Sequence, residues 1–201
     1  MIRNIIFDMG NVLIPFRPDV YLEKFVENEE DRILLKRVVF QSLEWVKMDT
    51  GDLEVQEAEE IMLSRIPRRL HSAAKKLIYD WAYVLPPFEE MEQLIIELKN
   101  RGLRTFLLSN VGNYFYDIRS KIPALQLMDG EVISFDYGII KPFPGIYRVL
   151  LSKYELKPEE CFFIDDLPVN IYGASLAGID GTVYHGDVES LRKILKSRGI
   201  L

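Results

Sequence analysis

Four polar groups follow short apolar runs, the position at which a buried strand delivers a side chain to the edge of a sheet. They are Asp8, the pair Ser109 and Asn110, Lys141, and the adjacent pair Asp165 and Asp166. In an open α/β sheet the carboxyl ends of the strands meet at one crevice. We therefore expect the four groups to converge there, although they are spread over most of the chain.

Together these groups fit the transfer of a phosphoryl group. The Asp8 carboxylate can attack phosphorus and form an acyl phosphate, which water then splits. Two anions approach each other in that step, so a divalent cation must bridge them. We predict that Asp8 and Lys141 are catalytic, with Lys141 neutralising charge. The predicted Mg²⁺ ligands are all oxygen donors: Asp8, the backbone carbonyl of Gly10, Asp165 and Asp166.

The residues predicted to bind the phosphate of the substrate lie in the turns that follow the first strands. They are Gly10, Asn11, Ser109, Asn110 and Lys141. Taken alone, each group has an ordinary structural explanation: an acid or amide after a strand caps a helix, and a lysine before proline is a solvated charge. The structural explanation requires four coincidences at one edge of a sheet, whereas the functional one requires a single reaction.

Short apolar runs alternating with helical patterns predict the elements that position these groups. The predicted strands are residues 4–7, 103–108, 132–135, 161–164 and 181–184, and the helices between them are residues 89–101, 144–154, 170–177 and 188–197. This alternation predicts an α/β fold with a doubly wound parallel sheet and helices on both faces.

Residues 15–87 break the alternation, because they contain helical patterns and no convincing strand. The predicted helices are residues 21–27, 30–46, 53–64 and 72–83, and prolines mark both ends of the segment. A segment this long is not a loop. We predict an α/β core formed by residues 1–14 and 88–201, and an all-helical cap formed by residues 15–87 over the carboxyl ends of the strands.

The composition excludes several classes of function. The 201 residues carry a formal net charge of −6, and no basic stripe is interleaved with aromatics, which argues against nucleic acid as a partner. No apolar run approaches the roughly 18 residues of a membrane span, and no targeting segment is evident. The single cysteine, Cys161, fits a reducing compartment. These features predict a cytoplasmic protein with no membrane or nucleic-acid partner. The groups that fit phosphoryl transfer predict a small phosphorylated metabolite as its substrate.

The chain resembles the haloacid dehalogenase superfamily of aspartate-nucleophile hydrolases. The resemblance rests on four ordered motifs, FDMGNV, LLSN, the lysine of IIKP, and FFIDD, and covers residues 1–14 and 88–201. It implies a Rossmann-type core, a helical cap that determines the substrate, Mg²⁺, and an aspartyl-phosphate intermediate on Asp8. The combination of motifs is also similar to a bacterial subgroup that includes an α-glucose-1-phosphate phosphatase.

Gly10 departs from the superfamily pattern. Most phosphatases of this superfamily have a second aspartate there, which protonates the leaving alkoxide and then activates water. General acid–base assistance contributes about 10²–10⁴-fold, so its loss weakens the phosphatase interpretation without abolishing it. A residue of the cap could supply the proton instead. Asp49 and Asp52, on either side of Gly51, are candidates, although helix-breaking and capping explain them more simply.

Two alternatives to a phosphatase remain open at the level of sequence. A metal-independent dehalogenase also uses an aspartate nucleophile without the second aspartate, but it has no use for adjacent Asp165 and Asp166. An inactive relative that binds a phosphorylated ligand would explain Gly10, but not a retained nucleophile. Four residues are predicted to line the crevice, with packing or solvent-facing roles equally open: Phe16, Arg17, Tyr114 and Tyr116.

Overall fold

A five-stranded parallel sheet forms the centre of the computed structural model, which describes residues 1–201. Its strands are β1 (Asn4–Phe7), β2 (Arg104–Ser109), β3 (Gly130–Ile133), β4 (Cys161–Asp165) and β5 (Asp180–Val183), in the order β3-β2-β1-β4-β5. Every neighbouring pair is parallel. The predicted α/β fold with a doubly wound parallel sheet is confirmed, and the strand boundaries differ from the predicted ones by two residues at most.

The strand order reverses direction between β1 and β4, and this reversal defines the crevice. From β1 the chain proceeds to β2 and β3 on one side of the sheet and then returns to place β4 on the other side. Phe7 at the end of β1 pairs with Ile164 of β4, so Asp8 and Asp165 follow side by side. Open α/β sheets bind ligands at such a switch point.

Helices cover both faces of the sheet because successive strand residues point to opposite sides. The longer helices on the two faces are α6 (Glu89–Asn100), α8 (Pro144–Lys153), α9 (Pro168–Ser175) and α10 (Val188–Ser197). A short helix, α7 (Phe115–Ile118), follows β2. Ile5 and Phe7 of β1 face α6 and α10 in an apolar cluster of 43 buried residues. Ile6 faces α8 and α9 in a cluster of 12. None of the helices combines the length and apolar composition needed to cross a bilayer.

The segment from residue 15 to residue 87, here called the helical insertion, contains no strand of the sheet. Its helices are α1 (Pro18–Phe25), α2 (Glu29–Leu35), α3 (Leu43–Asp49), α4 (Val55–Ser64) and α5 (His71–Tyr79). The assignment of this segment to a separate domain stays a prediction. Its helices pack in the same 43-residue cluster as one face of the sheet.

The helix predicted over residues 30–46 is wrong as a single element. After α2 the chain forms a wider π-helical turn, Lys36–Phe40, and α3 begins anew at Leu43. The hydroxyl of Ser42 accepts a hydrogen bond from the backbone N–H of Trp45 at 3.1 Å, so Ser42 caps α3. The apolar spacing continues across this junction, and periodicity alone therefore did not reveal the break in the helix.

Candidate active site

Asp8 and Lys141 form a buried ion pair at the carboxyl end of β1. The Nζ of Lys141 donates to Oδ1 of Asp8 at 2.6 Å and to Oδ2 of Asp165 at 2.7 Å. All three residues are buried, with Asp165 fully enclosed. The ammonium thus links Asp8, the residue after β1, to Asp165, the last residue of β4, and it holds their two carboxylates in fixed positions.

The backbone at Lys141 and Pro142 is held by two contacts. The side chain of Asn110 accepts a hydrogen bond from the Lys141 N–H at 2.8 Å and donates one to the Lys141 carbonyl at 3.0 Å. At the next residue, α9 approaches so closely that a Cβ on Gly173 would lie 2.2 Å from the carbonyl oxygen of Pro142. Asn110 therefore positions the predicted catalytic lysine, in addition to lining the crevice.

Asp165 and Asp166 have different environments despite being adjacent. Both oxygens of Asp165 accept hydrogen bonds from the Nδ2 of Asn170, at 2.9 and 3.0 Å, and the N–H of Leu167 donates to Oδ1 at 2.8 Å. Asp166 is half-buried and faces the crevice, where the Nδ2 of Asn11 donates to its Oδ2 at 3.0 Å. Asp166 is thus the more open of the two carboxylates.

Asn11 links the turn after β1 to the helical insertion. Its backbone adopts the left-handed region with φ 53°, which asparagine tolerates better than most residues. Its Oδ1 accepts a hydrogen bond from the N–H of Phe16 at 3.0 Å, while its Nδ2 donates to Asp166. One side chain therefore fixes the turn, the start of the insertion and a predicted metal ligand.

The donor set at this point suits a divalent cation. Asp8, Asp165 and Asp166 each offer a carboxylate oxygen, and these atoms lie within 4.8 Å of one another. Only one ammonium, that of Lys141, faces the three carboxylates. Negative charge is left in excess in a largely buried site, and hard oxygen ligands with this excess favour Mg²⁺. Asp8, Gly10 and Asp166 border the crevice, whereas the role of Asp165 as a direct ligand stays a prediction.

Burial controls the ionisation of these groups. It raises the pKa of Asp8, an effect that Lys141 opposes and Asp165 reinforces. Burial also raises the pKa of Asp166. Burial alone would lower the pKa of Lys141, but the charges of Asp8 and Asp165 outweigh it and raise that pKa above its ordinary value. Lys141 therefore stays charged at neutral pH.

A pocket of about 330 Å³ opens above Asp8 and is walled by aromatic rings. Phe16, Trp45 and Trp81 come from the helical insertion, and Tyr114 comes from the segment after β2. The Trp81 ring lies 5.1 Å from that of Phe16 and 6.2 Å from that of Tyr114, between ring centroids and in edge-to-face arrangements. These four residues, here called the aromatic wall, border the same pocket as Asp8 and Asp166.

Every residue predicted for catalysis or phosphate binding borders this pocket. They are Asp8, Gly10, Asn11, Ser109, Asn110 and Lys141. Their individual roles stay predictions. Of the four predicted lining residues, Phe16 and Tyr114 are present, but Arg17 and Tyr116 are exposed and do not border it.

Sequence reasoning missed five residues that border the pocket: Met9, Trp45, Trp81, Leu167 and Asn170. The signal for Asn170 was its place in the first turns of the helix that follows Asp165, where a side chain can reach back to the strand end. The two tryptophans carried no comparable signal, because an aromatic residue in an amphipathic helix is usually core.

Known proteins resemble this chain in sequence. A family model described as haloacid dehalogenase-like hydrolase matches residues 2–178. The chain is 26% identical over 179 residues to a sesquiterpene phosphatase of Aspergillus oryzae, covering 88% of this chain and 86% of the relative. It is 27% identical over 190 residues to acyl-CoA dehydrogenase family member 10 of Mus musculus, covering 88% of this chain but only 17% of the mouse protein.

A solved structure shares the whole fold. The haloacid dehalogenase family enzyme of Bacteroides thetaiotaomicron, crystallised as an aspartate-to-alanine mutant with magnesium and inorganic phosphate, superposes with a TM-score of 0.76 at 19% identity. The superposition covers 95% of this chain and 99% of that one. Because the family model spans most of the sequence and the same fold recurs in this enzyme, the chain belongs to the haloacid dehalogenase-like hydrolases.

Proposed function

We propose that this hydrolase is a Mg²⁺-dependent phosphatase that acts on a small phosphorylated metabolite through an aspartyl-phosphate on Asp8. The observation that carries the proposal is the charge balance of the site. Asp8, Asp165 and Asp166 face a single ammonium within one buried cluster. A divalent cation would offset the excess negative charge and allow a phosphate to approach Asp8.

Each residue of the site would have a separate role in such a reaction. An oxygen of Asp8 attacks phosphorus, the ester bond to the leaving group breaks, and water later splits the acyl phosphate. Bound Mg²⁺ would withdraw charge from the phosphoryl oxygens and would be held by Asp8, the Gly10 carbonyl and Asp166. Lys141 neutralises charge beside the nucleophile, and the Ser109 hydroxyl, which borders the pocket, would donate to a phosphate oxygen.

The two alternative functions explain the site less well. A metal-independent dehalogenase gains nothing from Asp166, which borders the pocket and adds to the negative charge beside Asp8. A protein that only binds a phosphorylated ligand gains nothing from a carboxylate held 2.6 Å from Lys141 at the point where phosphate would sit. Both features are useful to a phosphatase.

The aromatic wall constrains the leaving group. Aromatic faces pack against flat or apolar groups, including the apolar face of a sugar ring. A pocket of about 330 Å³ accommodates a group of metabolite size. The relative from Aspergillus oryzae is described as a sesquiterpene phosphatase, which favours an apolar leaving group. A sugar phosphate, suggested by the likeness to the glucose-1-phosphate phosphatase subgroup, stays the second candidate.

The test is release of inorganic phosphate from p-nitrophenyl phosphate and from a panel of sugar 1-phosphates and prenyl phosphates. We expect activity with Mg²⁺, less than a few per cent of it in excess EDTA, and recovery when Mg²⁺ is restored. Asp8→Asn should fold normally and be inactive, because an amide is a poor nucleophile. Full activity in EDTA, or an active Asp8→Asn variant, contradicts the proposal.

A further inference from the structure

Gly10 leaves the proposed reaction without a proton donor in the turn after β1. When the bond between phosphorus and the leaving group breaks, an alkoxide forms unless a proton reaches it. Glycine has no group that can supply one, and Lys141 is engaged by Asp8 and Asp165. The donor must therefore come from another side chain that borders the pocket.

Asp49 is a carboxyl group in the required place. It is the last residue of α3 and borders the same pocket as Asp8, Gly10 and Lys141. Its Oδ1 is enclosed by protein and has no hydrogen-bond partner. Trp45, one helical turn earlier, borders the pocket as well, so this face of α3 is directed at the site. Asp49 as a whole is half-buried, but an enclosed carboxyl oxygen without a partner is costly, and a substrate atom would satisfy it.

The backbone after Asp49 is docked firmly against the α/β core. Gly51 has φ +73°, and a Cβ there would lie 2.5 Å from the carbonyl oxygen of Phe135. A Cβ on Gly138 would lie 3.7 Å from the carbonyl oxygen of Thr50. Only glycine permits the first approach, which holds the end of α3 over the pocket. The other cap candidate, Asp52, is exposed and accepts a hydrogen bond from the Thr50 hydroxyl at 2.7 Å.

The surroundings of Asp49 suit proton transfer near neutral pH. Burial raises the pKa of Asp49 to about 7, with Lys141 opposing the rise and Asp8 reinforcing it. Tyr114 also faces Asp49, and burial together with the Asp49 charge raises the pKa of its hydroxyl well above the ordinary value. Tyr114 therefore stays neutral, and Asp49 can both give and take a proton near pH 7.

We propose that Asp49 is the proton donor and acceptor of this enzyme, in place of the side chain that Gly10 lacks. The inference rests on the proposed phosphatase function. In the first step Asp8 bonds to phosphorus, the leaving oxygen departs with the bonding electrons, and the Asp49 carboxyl gives it a proton. In the second step the Asp49 carboxylate takes a proton from water, the resulting hydroxide attacks phosphorus, and Asp8 is released as a carboxylate beside inorganic phosphate.

The test compares two esters of similar size whose leaving groups differ in basicity. p-Nitrophenyl phosphate expels a stable phenolate, whereas benzyl phosphate expels a basic alkoxide that needs a proton. kcat/KM reports the step in which the leaving group departs. We expect Asp49→Asn to lower kcat/KM for benzyl phosphate by about 100-fold or more, but for p-nitrophenyl phosphate by less than about tenfold. Asp52→Asn is the matched control and should lower neither value appreciably.

The outcomes separate this inference from the function on which it rests. A wild-type protein that hydrolyses neither ester with Mg²⁺ overturns both. An active wild type whose Asp49→Asn variant, folded by circular dichroism, loses the same factor on both esters overturns the role of Asp49 alone, because a structural defect does not distinguish leaving groups.

Restoring an acid at position 10 provides a second test. A Cβ on Gly10 would meet nothing closer than the Cβ of Phe16 at 3.7 Å, so the first side-chain atom of an aspartate has no close contact there. Gly10→Asp should restore hydrolysis of benzyl phosphate in the Asp49→Asn background and change it little in the wild-type background. A large gain in the wild-type background would show that no residue already supplies the proton, and would overturn the inference.

Discussion

The geometry of the site depends on Lys141. It is almost fully buried and contacts two carboxylates at 2.6 and 2.7 Å. Burying a charge is unfavourable unless it is paired and hydrogen-bonded, and removing one partner leaves the others uncompensated. Here the pairing is unbalanced towards negative charge, because Asp166 adds a third carboxylate. A site arranged in this way is more stable with a bound cation than without one.

Mg²⁺ should therefore stabilise the folded protein measurably. At a concentration about 100 times its Kd, a ligand specific to the folded state adds about 2.7 kcal/mol. For a chain of this size that corresponds to a rise in Tm of roughly 5–10 °C. Asp166→Asn removes a proposed ligand that borders the pocket and should abolish most of the rise in a thermal melt. Asp52→Asn, an exposed acid, is the control, and equal rises in both variants would place the cation elsewhere.

The residues of the site differ in how far the sequence predicted them. Asp8, Lys141 and Asp166 end apolar runs, so their convergence follows from the topology of a parallel sheet. Asn170 was missed, because its role depends on a contact that only the folded structure shows: its side-chain amide donates to both oxygens of Asp165. Asp49 was a weak candidate, since the sequence does not show that Gly51 brings the end of α3 against Phe135.

At the scale of elements, strands were easier to predict than helices of the insertion. The three central strands, β1, β2 and β4, are short apolar runs buried almost throughout, which gives a clear local signal, whereas the edge strands β3 and β5 are less buried. In the insertion, by contrast, the apolar spacing continues through Gln41 and Ser42, where the helix is broken. A serine inside a periodic pattern can be a surface residue or a cap, and tertiary packing decides which.

The close packing of α9 on Pro142 gives a prediction at this scale. In an exposed helix, Gly→Ala is favourable by about 1 kcal/mol. At Gly173 the added methyl group would lie 2.2 Å from the Pro142 carbonyl oxygen, so backbone must move. We expect Gly173→Ala to lower the free energy of unfolding by about 1–3 kcal/mol in urea denaturation. We also expect it to reduce kcat, because Lys141 precedes Pro142.

The matched control is Ser175→Ala, an exposed position in the same helix. Its free energy of unfolding should stay within about 0.5 kcal/mol of the wild type. A Gly173→Ala variant as stable as wild type would mean that α9 shifts freely away from Lys141. Only Asn110 would then fix the backbone of Lys141.

At the scale of the whole molecule, the helical insertion and the sheet share one apolar core. The 43-residue cluster includes Ile5 and Phe7 of β1 together with Trp45 and Trp81 of the insertion. Tyr114 joins the two parts, because its ring lies 6.1 Å from that of Trp45 and 6.2 Å from that of Trp81, between centroids. The aromatic wall thus lines the pocket and also couples the insertion to the sheet.

This coupling predicts that the protein unfolds in a single transition. Both tryptophans of the chain lie in the insertion, so fluorescence reports on that part, whereas far-UV circular dichroism reports on all helices and strands. The two signals should have the same midpoint in urea. Tyr114→Ala removes the joining ring and should move the fluorescence midpoint below that of the dichroism signal. Tyr116→Ala, an exposed tyrosine two residues along, should leave them coincident. Separate midpoints in the wild type would instead show that the insertion opens on its own.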